Sequence, residues 1–146
     1  MKFDISYTFD AIPRLLEGAF ITMQVAILGF TLSVLLATII TIARTSLRSK
    51  ILNFIIAFYI SFIRGTPILV QIFLIYYVLP VFGLNLGPFT AGILAITLNS
   101  AAFVTEILRG GLASVPVGQF EAAKSLGISG FALWRNCLLY TSPSPR

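Results

Sequence analysis

A chain of 146 residues that is 58% hydrophobic and only 10% charged falls far short of the roughly one-quarter charged residues of a soluble domain, and its mean hydropathy of +0.97 places it in the polytopic membrane class. The absence of histidine and the presence of one cysteine, Cys137, exclude histidine-based catalysis, a His/Cys metal cluster and an intrachain disulfide. The net charge of +5 comes without a basic run interleaved with aromatics, so nucleic-acid binding is excluded and the cations read as markers of cytoplasmic loops.

Residues 1–17 mix Lys2, Asp4, Asp10, Arg14 and Glu17, and the apolar run after them is too long for the core of a cleavable signal. That run, Gly18–Ala43, carries no charge. At 1.5 Å per residue it reaches ~39 Å, enough to cross a ~30 Å hydrocarbon core with tilt, and it is the first expected crossing. Gln24, Thr31 and Thr38 recur every seven residues near one face, as packing glue between helices or as the lining of a path. The loop Arg44–Lys50 holds Arg44, Arg48 and Lys50 and no acid, whereas the segment before the helix is net negative. Cations collect inside, so the N-terminus is expected outside and this loop in the cytoplasm.

Ile51–Leu79 is apolar but interrupted by Arg64-Gly65-Thr66-Pro67, where Gly and Pro break or kink a helix. Two readings stay open: one kinked helix crosses, or the first half lies near the interface and the second penetrates. Arg64 should snorkel, pair or face a cavity. Leu79–Pro88 has turn chemistry without charge and reads as a short external loop, with Pro88 in the first turn of the next helix. Phe89–Leu108 is the third expected crossing. Along it Gly92, Ala95, Asn99, Ala102 and Glu106 step by three and four into one small-and-polar stripe. Asn99 can bond to a neighbouring helix or wall a substrate path. Glu106, three residues before Arg109, can form a local ion pair or act functionally.

Ser114 is placed to cap a helix with Pro116 in its first turn, running from about Val115 to Leu126 and stopping at a left-handed Gly127. Ser129 would cap the next apolar segment, Gly130–Tyr140, which is too short for a crossing and gives way to the polar "LYTSPSPR". The expected fold is therefore an all-α polytopic transmembrane bundle of about three complete helices and part of a fourth. There is no GxxxxGK[ST] loop, no nucleophile elbow and no paired carboxylate, so no catalytic residue, bound cofactor or metal is expected. The short helix before Gly127 would set Phe120, Ala123 and Gly127 on one side and Glu121 and Lys124 outward. It could dock in a groove of another protein or serve as a plain interfacial turn.

"EAAKSLG", Glu121–Gly127, resembles the EAA signature of permease subunits of ABC importers. "NSAAFVTEILRGGLASVPVGQFEAAKSLGIS", Asn99–Ser129, and "FIRGTPILVQIFLIYYVLP", Phe62–Pro80, are similar to the polar amino acid permease family of histidine, glutamine, arginine and cystine uptake. The resemblance implies a permease of about five helices in the bacterial inner membrane, N-terminus outside. It implies a transport subunit, not an enzyme, for ATP-driven amino acid import. Its partners would be two cytoplasmic ATPase subunits that use the ATP, an extracytoplasmic amino-acid-binding protein, and a second permease subunit in a homo- or heterodimer.

Glu121, Ala122, Ala123 and Gly127 fall on the signature positions and would form the coupling contact with the ATPase. Gln24, Asn99 and Glu106 are candidates for contact with the amino acid. The family pattern expects proline where Tyr140 follows Cys137, Leu138 and Leu139. Residues 1–137 therefore read as a partial permease domain and 138–146 as a non-native or truncated tail. A membrane enzyme lacks any residue pair to support it, and a small channel-like protein has only the Gly/Ala face in its favour.

Overall fold

The computed structural model describes residues 5–47, 49–114, 116, 118, 121 and 125–127. Helix α1 (Ile5–Leu47) begins well before the expected boundary at Gly18 and carries Pro13 inside it. The charges before Gly18 limit what lipid can cover, but they do not forbid helix, so the backbone continues past the apolar run. After the turn at Ser49, whose hydroxyl accepts the Leu52 N–H at 3.4 Å, comes α2 (Lys50–Gly65). Pro67 then opens α3 (Ile68–Phe73), which widens into a π turn (Leu74–Val78) and tightens into a 3₁₀ turn (Leu79–Phe82). This limb stops at Gly83, whose φ of +85° is a left-handed conformation suited to glycine.

Helix α4 (Pro88–Ala113) starts at the expected proline but runs five residues beyond the expected end at Leu108, through Gly110 and Gly111. Ser114 closes α4 and does not open a new helix. Its backbone is right-handed helical (φ −79°, ψ −13°), not the extended conformation of an N-cap, and its hydroxyl donates back to the Gly111 carbonyl at 2.7 Å.

Among the described residues, two helical stretches are long and apolar enough to cross a membrane, Ala11–Leu47 and Pro88–Ala113. The pair Lys50–Gly65 and Ile68–Phe82 passes the same test only jointly, bent by 108° at the break. A bend of this size is a broken span or a re-entrant pair, so both readings of this stretch stand, and its second limb packs along α4, with Gln71 at Asn99 and Ile75 at Ala91 and Ala95.

Helices α1 and α4 lie side by side and run in the same direction: Val25 meets Gly92, Gly29 meets Ile96, and Arg44 meets Glu106. On α1 the buried row is Gly29, Ser33, Ala37 and Thr41; on α4 it includes Thr97, Ala101 and Thr105. Both rows repeat every fourth residue, so small side chains line one ridge on each helix and the backbones approach closely. The hydroxyls in these rows mostly stay within their own helix. Ser33 donates to Phe30, Thr41 to Ala37 and Thr105 to Ala101, each at 2.7 Å to the carbonyl oxygen. Thr97 instead reaches across to the Gly29 carbonyl at 3.4 Å.

The expected glue residues of α1 are not on this ridge. Gln24 and Thr31 are exposed, and Thr31 and Thr38 donate to the carbonyls of Ile27 and Val34 in their own helix. A seven-residue spacing selects a different face from the four-residue row that packs.

The opposite side of α4 receives the other limbs. Ala102 packs with Ile56, Ile60 and Ile63 of α2, while Ala91 and Ala95 pack with Ile75 beyond α3. A side chain at Gly29 has no room. A Cβ there lies 2.8 Å from Ile96 Cγ2 and 3.1 Å from its Cβ, a stiff β-branched neighbour. Gly29→Ala should therefore destabilise the bundle by about 1–3 kcal/mol in detergent unfolding, and adding Ile96→Ala should recover part of the loss.

Candidate functional site

Three polar features sit in this otherwise apolar bundle. The first is at the break between α2 and α3. A helix end leaves carbonyls without partners, and inside lipid no water supplies them. Gln71, one turn into α3, is 4% exposed. Its Nε2 lies 2.9 Å from the Ile63 carbonyl, 3.1 Å from the Thr66 carbonyl and 2.9 Å from Thr66 Oγ1, so three acceptors share its two hydrogens. Its Oε1 accepts from Asn99 Nδ2 of α4 at 3.2 Å. One amide thus spans the gap left by Gly65 and Pro67 and fastens it to α4. Nearby, the Tyr59 hydroxyl donates to the Leu98 carbonyl at 2.6 Å.

Asn99 is therefore bonded to a neighbouring helix, the first of its two expected uses. Gln71 was not singled out from sequence. The available signal was a lone amide in "ILVQIF", four residues after a helix-breaking proline.

The second feature is an ionic cluster where α1 and α4 end together. Arg109 holds Glu106 by the expected local pair, with Nη2 to Oε2 at 2.7 Å and Nε 3.1 Å from both oxygens. Arg44 of α1 adds a second guanidinium, Nη1 to Oε1 at 3.4 Å, which the sequence did not reveal. Among the described residues this is the one ion pair that joins two elements. Arg64 takes a way out not foreseen from sequence: its guanidinium lies over the Phe103 ring, 5.5 Å from the centroid, one turn from Glu106.

The three residues expected to contact the amino acid are not gathered in one cleft. Gln24 is exposed on α1, Asn99 is engaged at the break and Glu106 is engaged at the ionic cluster. Outside the packed rows, the space between α1 and α4 is a groove of about 490 Å³ lined by residues such as Leu32, Leu35, Ile39, Ile93 and Leu94. Its lining suits an acyl chain or another helix better than a zwitterion.

The third feature is the segment near the end of the described chain. Glu121 is helical and exposed, and its carbonyl accepts from Ser125 Oγ at 3.0 Å. Gly127 has φ +66°, the left-handed stop expected of it. Ala122, Ala123, Ser129 and the segment Gly130–Tyr140 lie outside the described residues.

A parallel pair of long apolar helices, a broken third limb and polar side chains such as Gln71, Asn99 and Glu106 that find partners inside the bundle define a helical integral-membrane protein. The chain belongs to the family described as binding-protein-dependent transport system inner membrane component, which matches residues 29–139. It is 40% identical over 117 residues to the L-cystine transport system permease protein TcyB of Bacillus subtilis, covering 80% of this chain and 50% of that one. It is 38% identical to the glutamine transport system permease protein GlnP of Escherichia coli K12, covering 95% and 64%. A crystal structure of an amino acid ABC transporter with histidines superposes with a TM-score of 0.78 at 37% identity, covering 96% of this chain and 63% of the other. The chain thus spans between half and two thirds of the length of these relatives.

The amide network gives a graded expectation. Gln71→Leu leaves the Thr66 carbonyl without its partner and the Ile63 carbonyl with only the longer bonds from the Thr66 N–H and hydroxyl, each at 3.4 Å, and should cost about 1–3 kcal/mol, whereas Asn99→Ala removes one bond and should cost about 1 kcal/mol or less. Thermal unfolding of the two variants in the same detergent checks the order; an equal or larger loss for Asn99→Ala contradicts it.

Proposed function

We propose that this chain forms the membrane-spanning core of a permease subunit in an ATP-driven importer of amino acids. The observation that carries this reading is the superposition over nearly the whole chain on an amino acid ABC transporter, at an identity well above that needed for fold alone. The relatives' named functions, cystine and glutamine transport, favour amino acids as the cargo class. In this reading ATP is hydrolysed by separate ATPase subunits, an extracytoplasmic binding protein delivers the amino acid, and a second permease subunit completes the path. The membrane is the bacterial inner membrane with the N-terminus outside. The excess of cations in Arg44–Lys50, and Arg109 at the end of α4, support that orientation.

Glu121, Ala122, Ala123 and Gly127 would carry the coupling contact. The described part has the form such a contact needs: an exposed helical acid, then a stop at Gly127 that limits the helix to a short docking element. The substrate-path role of Gln24, Asn99 and Glu106 is weakened for the last two, whose polar atoms already have partners inside the bundle.

In the complete subunit with its partners, Glu121→Lys or Gly127→Pro should abolish stimulation of ATP hydrolysis by the loaded binding protein while membrane insertion persists. Unchanged stimulation would sink the coupling assignment. For orientation, single cysteines at Ser46 and Asn85 should label from inside and outside respectively; the opposite pattern reverses the topology.

A further inference from the structure

We infer that Arg44 and Glu106 form a strut that holds α4 against α1, so that movement of the coupling segment is transmitted to the bundle and not lost at the end of α4. This rests on the coupling role proposed above and adds residues that act through it. Glu106 lies on the last two turns of α4, and the chain reaches Glu121 soon after that helix ends. Its carboxylate is held from both sides: Arg109 on the same helix at 2.7 Å and Arg44 on α1 at 3.4 Å. The Glu106 and Arg44 side chains are 22% and 27% exposed, so the pair is partly withdrawn from water and screened less than a surface pair. Arg109 orients the carboxylate, leaving Oε1 toward α1. The geometry makes Glu106 a tie between elements.

Directly after Arg109 come Gly110 and Gly111, both inside α4. Their backbone is right-handed, so no unusual φ calls for glycine, and among the described residues nothing lies within 4 Å of an added Cβ at either position. Among the described residues, neither close packing nor a strained backbone accounts for this glycine pair. What a glycine pair does in a helix interior is weaken it and ease bending. A fixed point followed at once by a compliant pair is the arrangement of a lever with its hinge. The ion pair sets where α4 stops moving with the coupling segment and starts moving with α1.

The test uses the complete subunit assembled with its ATPase and binding protein in proteoliposomes, and reads amino acid imported per ATP hydrolysed. Arg44→Gln should leave basal hydrolysis near that of the parent complex and lower the import-to-hydrolysis ratio by about fivefold or more, the range of ordinary site-to-site coupling. Arg44→Lys, which keeps the charge, should restore most of it. Adding Arg44→Gln to Glu106→Gln should lower the ratio no further than Glu106→Gln alone, because Arg44 acts through that carboxylate. Gly110→Ala with Gly111→Ala favours the helix, so it does not threaten folding, and should reduce stimulation of hydrolysis by the loaded binding protein.

Import and hydrolysis falling in parallel in Arg44→Gln would mark a merely structural pair and overturn the inference, as would an unchanged ratio or an additive loss in the double variant. A parent complex whose hydrolysis ignores the binding protein would overturn the coupling role itself, a result separate from any of these.

Discussion

Close approach of α1 and α4 is the contact on which the other features depend. In lipid, apolar side chains gain little by leaving one greasy surface for another, so association rests on packing and on polar bonds between helices. Gly29, Ser33, Ala37 and Thr41 against Thr97, Ala101 and Thr105 supply that packing with small side chains. Their hydroxyls do not compete with it, because most are already bonded to their own backbone. Once the two helices are fixed in parallel, Arg44 falls beside Glu106, and the far side of α4 is left free to take the alanine-lined contacts with α2 and the limb that follows α3.

The break after α2 follows the same economy of polar groups. Gly65 and Pro67 end one helix and start another at a sharp angle, which frees backbone carbonyls in an environment without water. Gln71 answers both sides of the gap and passes its remaining acceptor to Asn99. Arg64, the charge next to the break, rests on an aromatic face instead of an acid. A bilayer tolerates such irregular backbone only where protein satisfies it, and here the Gln71 amide shares that task with Thr66, whose hydroxyl donates to the Phe62 carbonyl at 3.0 Å.

Much of this was legible in the sequence. The uncharged run after Gly18, Pro88 at a helix start, the break at Gly65 and Pro67, the Glu106–Arg109 spacing and the left-handed Gly127 are local signals, and local chemistry decides them. What escaped were pairings between distant segments. Nothing near Arg44 in the chain points to Glu106, and nothing near Gly29 points to Ile96. The seven-residue spacing of Gln24, Thr31 and Thr38, open to packing glue or the lining of a path, does not mark the face of α1 that packs, because small size and not polarity sets that face. Ser114 misled for a related reason: a serine before a proline fits an N-cap, but it also fits the last turn of a helix that two glycines do not end. The coupling segment was recognised by its motif, and for Ala122 and Ala123 the motif is the ground on which a role is proposed.

Two ridges with the same four-residue repeat have an inherent ambiguity. Sliding one past the other by a repeat, about 6 Å along the axis, presents small residues to small residues again. The row on α1 is not uniform, however. Gly29 alone has no side chain, and it is the place where Ile96 fills the gap. In a shifted alignment Ile96 would face Ser33 or a position before Gly29, and the missing Cβ would be wasted. Gly29 therefore works as a notch on a ruler: the ridges give adhesion at any repeat, and this one position selects which repeat is native and so fixes the axial height of everything α4 carries.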